Sequence, residues 1–102
     1  MLDTLLSHPG EVLKEEFLDD MGISVYALSK AIGVPRSRMN DIVLGRRGIT
    51  ADTAVRLGRF FGTDAQSWMN LQSHYDVALV ERSMDLSGIR TSADLQETRV
   101  GN

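Results

Sequence analysis

The chain has 102 residues, 42% of them hydrophobic and 25% charged, which is room for one compact domain and not two. It has no cysteine, which excludes disulfides, thiolate metal sites and cysteine nucleophiles, and its apolar runs fall far short of the ~20 residues of a membrane helix. Met1 leads into Asp3 with neither a basic n-region nor an apolar h-region, so no signal peptide is expected and a cytoplasmic protein is.

The net charge of −3 argues against a nucleic-acid partner until its distribution is read. Residues 1–23 carry six acids (Asp3, Glu11, Glu15, Glu16, Asp19, Asp20) against Lys14 alone. Residues 24–60 invert this: Lys30, Arg36, Arg38, Arg46, Arg47, Arg56 and Arg59 face only Asp41 and Asp52. Residues 61–102 return to six acids against three arginines. A basic middle segment can meet phosphate because the relevant field is local. A solvated surface is the plainer reading of the same charges.

In chain order, the pattern predicts an all-α domain of five short helices punctuated by glycines, with no convincing strand alternation. Pro9 suits a first helical turn, and Leu13, Phe17, Leu18 and Met21 recur inward until Gly22. Ser24 caps a second helix that carries Leu28 and Ile32 inward and ends at Gly33. Pro35 opens a third, with Met39, Ile42 and Val43 as its apolar stripe before Gly45. Thr50 caps a fourth, with Leu57, Phe60 and Phe61 inward and Gly62 after it. Thr63-Asp64-Ala65-Gln66 fits a capping box with threonine at the cap, and opens a fifth helix with Trp68, Leu71, Tyr75 and Leu79 on one side. The expected domain is 1–85; residues 86–102 form a polar tail, expected to be mobile.

The informative stretch is 24–45, SVYALSKAIGVPRSRMNDIVLG: two short helices broken at Gly33-Val34-Pro35. These are the dimensions of a helix-turn-helix, whose second helix fits a major groove. Leu28, Ile32, Val34, Met39 and Ile42 would form the wedge between the helices. Ser37, Asn40, Asp41 and Leu44 then point away from it, with Arg36 and Arg38 flanking the first turn. Arginine pairs with guanine and asparagine with adenine, so such residues can read base edges, whereas Arg46 and Arg47 in the next loop suit phosphates. Ser24 and Lys30 are expected beside them on the DNA backbone. Leu44 either touches a thymine methyl or packs beneath the arginine loop, and packing is the expectation.

HPGEVLKEEFLDDMGIS, GVPRSRMNDIVLGRRGIT and GTDAQSWMNLQSHYDV occur in that order between about residues 8 and 80. With them the chain resembles the lambda repressor–Cro (XRE) class of helix-turn-helix proteins and, more narrowly, the HigA antitoxins of bacterial toxin–antitoxin operons. Ser29 departs from the alanine usual in the bracing helix, but keeps the site small. The resemblance implies a dimeric protein that represses its own operon at a palindromic operator. It also implies neutralisation of a HigB-type toxin, an endoribonuclease acting on mRNA. It places base reading on Arg36, Ser37, Arg38 and Asn40, and backbone contacts on Arg46 and Arg47.

Neither enzymatic activity nor a cofactor is expected. Glu15-Glu16 and Asp19-Asp20 lie on an exposed helix face with little cleft to desolvate them, and His8 and His74 lack partners at ligand spacing. The apolar surplus on the fifth helix (Trp68, Leu71, Tyr75, Leu79) is read as a homodimer interface. Glu11, Glu15, Glu16, Asp19 and Asp20, on a helix read as facing away from DNA, suit a basic ribonuclease surface or simply a solvated face. A stand-alone repressor without a toxin, and an interaction module that no longer binds DNA, are the alternatives. The four arginines at 36, 38, 46 and 47 argue against the second of these.

Overall fold

The computed structural model describes residues 7–100, so Asp3 and the first stretch of the expected 1–85 domain lie outside the described residues, as do 101 and 102. It contains six helices and, among the described residues, no strand. Helix α1 runs through three consecutive segments: Pro9–Val12, a π-helical Leu13–Leu18, and Asp19–Met21. The others are α2 (Val25–Ile32), α3 (Arg36–Val43), α4 (Ala51–Phe61), α5 (Ala65–Ser83) and α6 (Ser92–Val100). Among the described residues no helix is long and apolar enough to cross a membrane.

Four of the five expected helices start or stop where their punctuation says. Ser24 Oγ accepts from the Ala27 N–H at 3.0 Å, and Thr50 Oγ1 from the Thr53 N–H at 3.4 Å. Gly22, Gly33 and Gly62 take up left-handed conformations at the ends of α1, α2 and α4. The fifth cap moves by one residue. Asp64 caps α5 through the Gln66 N–H, and Thr63 Oγ1 accepts instead from the Trp68 indole at 2.8 Å. A buried indole N–H needs a partner, and that need takes Thr63 from the cap.

The core joins Leu13, Leu18, Leu28, Ile32, Val34, Met39, Ile42, Ile49, Ala54, Leu57 and Trp68. Leu13 and Leu18 are five residues apart, about 140° around a regular α-helix, and would not share a face. The π stretch brings them together: the Asp19 N–H donates to the Lys14 carbonyl five residues back. The same register sets the Lys14 ammonium 2.7 Å from the Asp19 carboxylate, and it turns Met21 out to solvent, contrary to expectation. Phe60 is likewise exposed at the rim of α4, while Phe61 packs with Phe17 and Trp68 at ring separations of 4.9 and 6.3 Å.

One close approach fixes α1 against α3. A Cβ on Gly10 would lie 1.7 Å from the Ile42 carbonyl oxygen, so the two helices meet backbone to backbone where only glycine fits.

The tail, expected to be mobile, carries a sixth helix. Thr91 and Asp94 cap it reciprocally: the Asp94 N–H donates to Thr91 Oγ1 at 3.1 Å, and the Thr91 N–H to the Asp94 carboxylate at 3.4 Å. Every residue from 79 to 97 is exposed, and with α5 this arm gives a molecule of 65 × 24 × 22 Å.

Candidate nucleic-acid interface

Between α2 and α3 the chain turns within three residues. Gly33 takes φ +73°, and the N–H groups of Gly33 and Val34 both donate to the Ser29 carbonyl, at 3.0 and 3.1 Å. All five expected wedge residues (Leu28, Ile32, Val34, Met39, Ile42) are buried. Ser29 is buried too, and its hydroxyl donates to the Tyr26 carbonyl at 2.8 Å, so the departure from alanine is accommodated by a hydrogen bond within α2. With Met39 and Ile42 inward, α3 turns Arg36, Ser37 and Arg38 to solvent and leaves Asn40 and Asp41 half-buried. No side chain caps its N-terminus, whose partial positive charge adds to that of the two arginines.

The loop after α3 carries Arg46 and Arg47, both exposed, and is held from behind. Gln72, buried on α5, accepts the Ile49 N–H at 2.7 Å and donates to Asp76 at 3.0 Å. Its amide also lies where a Cβ on Gly48 would reach, at 3.0 Å. His8 closes the other side. Its Nδ1 caps α1 by accepting from the Gly10 N–H at 2.9 Å, and its ring meets Tyr75 edge-on at 4.9 Å. Burial holds the imidazole pKa below its ordinary value; Asp76, Glu11 and a hydrogen bond with the Arg47 backbone pull the other way. Arg46 keeps a loose 3.9 Å approach to Asp41 with its side chain 70% exposed. Leu44 does not pack beneath the loop as expected: it is 61% exposed, at the edge of a groove with Glu11 and Glu15.

Ser24 and Lys30 are exposed on α2, the serine oxygen already engaged as its cap. Arg56, counted in the basic segment, is spent on the fold. Its guanidinium donates to the Ile32 carbonyl at 2.8 Å, closing the end of α2, and to Asp52 at 3.0 Å. Three residues escape a reading of sequence alone. Tyr26 lies 5.4 Å from both Lys30 Nζ and Arg36 Cζ, a clue visible only as an i, i+4 spacing to Lys30. His8 precedes a Pro at N1, which is a cap signal. Gln72 carries no local signal, since its partner is 23 residues away.

The residues assigned to a dimer surface divide. Trp68 is only 2% exposed and belongs to the core, which corrects its assignment to an interface. Leu71 and Tyr75 are half-buried, and Leu79 is exposed between exposed Val77 and Val80. The acids of α1 (Glu11, Glu15, Glu16, Asp19, Asp20) are all exposed. They do not all face away from α3, however: Glu11 and Glu15 share a groove with Val43, Leu44 and Gly45 at its C-terminal end.

The helix-turn-helix family model matches residues 13–68. The chain is 59% identical over 75 residues to "Virulence-associated protein I" of Dichelobacter nodosus, covering 74% of this chain and 69% of that one. It is similar to a solved structure of the PA4674 protein of Pseudomonas aeruginosa in complex with its operator DNA: 51% identity, TM-score 0.76, covering 78% and 85% of the two chains. It is also similar to the Pseudomonas aeruginosa antitoxin HigA solved with the higBA promoter, at 46% identity and TM-score 0.70, covering 78% and 96%. A buried wedge, a three-residue turn and an outward basic helix thus coincide with a family match over more than half of the chain. This protein belongs to the XRE-type helix-turn-helix family, and its likeness runs to the HigA antitoxins within it.

Proposed function

We propose that the chain is an antitoxin that represses its own operon as a homodimer on a palindromic operator and neutralises a HigB-type mRNA endoribonuclease. The observation that carries the DNA half is the exposure of Arg36, Ser37 and Arg38 on α3 beside Arg46 and Arg47 on a braced loop. Arg36, Ser37, Arg38 and Asn40 read bases; Ser24, Lys30, Arg46 and Arg47 hold phosphates. Gel shifts on duplexes from upstream of the gene test this. A symmetric dimer presents its two α3 helices about one DNA turn apart, so inserting five base pairs between half-sites abolishes tight binding. Arg36→Ala and Asn40→Ala each cost about 1–3 kcal/mol and relax preference at one position. Arg46→Ala and Arg47→Ala weaken all sequences alike and flatten the salt dependence. Equal losses on operator and random DNA for all four variants overturn this division.

Leu79, with Val77 and Val80, is the part of the expected interface that remains available to a second copy. Leu79→Glu therefore shifts sedimentation toward monomer and lowers operator affinity without unfolding the chain. The toxin half rests on the exposed acids of α1. Such charges chiefly raise an association rate and are screened by salt. Replacing Glu15, Glu16, Asp19 and Asp20 by their amides slows toxin capture severalfold at low salt and spares operator binding. The stand-alone repressor draws support from one observation: Lys14 already neutralises Asp19, which thins that acidic face. An unchanged association rate in the amide variant favours it.

A further inference from the structure

We infer that Tyr26 is a positioning residue for operator recognition, its ring aiming Arg36 at its base; this rests on the DNA-binding reading above. Arg36 begins α3, and no side-chain hydrogen bond holds that helix start. Long arginine side chains lose several rotamers when they bind, so an unguided Arg36 would lose affinity in being ordered. The ring of Tyr26, 51% exposed on the first turn of α2, sits 5.4 Å from the Arg36 guanidinium carbon, within the range of a cation–π attraction. Lys30, one turn along α2, lies 5.4 Å from the same ring. One aromatic ring thus neighbours both a residue read as base-contacting and one read as phosphate-contacting.

The backbone that carries the tyrosine is tied to its own helix. Its carbonyl accepts the Ser29 hydroxyl at 2.8 Å, and Ser29 is buried against the turn. Tyr26, Ser29, Lys30 and Arg36 line one shallow groove with Gly33 and Pro35, so the contact spans the break between the helices. Val34 of the wedge lines the same groove, but Tyr26 is not one of the residues that make up or pack against the core, which separates its role from that of the wedge.

The test measures binding of the full chain to the operator and to operators with each base pair substituted singly. Tyr26→Ala lowers operator affinity about three- to thirtyfold, the span of such attractions from exposed to desolvated sites. It flattens discrimination at the base pair that Arg36→Ala also flattens, and leaves the Asn40 position sharp. Tyr26→Phe keeps the ring and retains both affinity and discrimination, whereas Tyr26→Leu keeps bulk without a π face and behaves as alanine does. In an Arg36→Ala background, Tyr26→Ala adds less than twofold. Additive losses in that double variant overturn the proposal, and so does a Phe variant as weak as Ala. Thermal melts of every variant within a degree or two of wild type exclude misfolding as the cause. Failure of the wild-type chain to bind any upstream duplex would instead refute the DNA-binding reading itself.

Discussion

The two ends of α5 live in different environments. Its first half carries Trp68 and Gln72, both buried, one closing the aromatic core and the other pinning the Arg46–Arg47 loop. From residue 79 to 97 no side chain is buried, and α6 opens on its own Thr91–Asp94 cap. One helix therefore serves as an internal brace and then as an external arm. The buried core and the proposed DNA face both lie before about residue 76, while the described side chains of residues 79–97 are exposed.

The sharpest way to break the first region is Gly10→Ala. With the Ile42 carbonyl 1.7 Å from the new Cβ and both groups on helix backbones, relief requires α1 to move off α3. A loss of about 3 kcal/mol is expected, at the upper end of overpacking, and read from denaturant midpoints. Gln72→Leu comes next. It leaves the Ile49 N–H buried without an acceptor, costing about 1–3 kcal/mol. Because that bond holds the loop, affinity for specific and random DNA falls together. A stability loss with unchanged DNA affinity would mean that the loop does not need its brace.

Acidification probes the same brace more gently. Burial lowers the His8 pKa, so the unfolded chain binds the proton more readily than the folded one. His8's contribution is thus fully present above about pH 6.5 and is lost as pH falls toward and through the lowered native value. Protonation also removes the lone pair on Nδ1 that caps α1. Asp76 and Glu11 face the ring and soften the effect without reversing its sign. His8→Asn, which keeps a capping side chain, flattens the decline in melting temperature as pH falls below about 6.5. The smallest effect belongs to the second region: removing 86–102 leaves the unfolding free energy within about 0.5 kcal/mol, since every described side chain there is exposed.

Most of the helix-turn-helix was legible because its signals are local. Ser24, Gly33, Pro35 and the Met39–Ile42 stripe act within a turn or two of themselves. What sequence obscured was set by competition across distance. Thr63 looks like a cap until Trp68 requires its hydroxyl, and nothing near Gln72 marks it as the acceptor for Ile49, 23 residues away. The π turn is readable in Leu13 and Leu18, whose separation suits no single α-helical face. The cap of α6 is equally local, as Thr-Ser-Ala-Asp, and is masked only by the polar tail around it.

Helix α3 is fastened through its inner residues, Met39 and Ile42, while Arg36, Ser37 and Arg38 are exposed and Arg36 lies over the Tyr26 ring. If the proposed base-reading residues hold, preference for a DNA sequence and the ability to fold are written in separate letters along the same eight residues. Exchanging the outer letters retargets the molecule without renegotiating its core, whether by natural drift between operons or by deliberate redesign. The limit is Asn40, half-buried and so answerable to both alphabets.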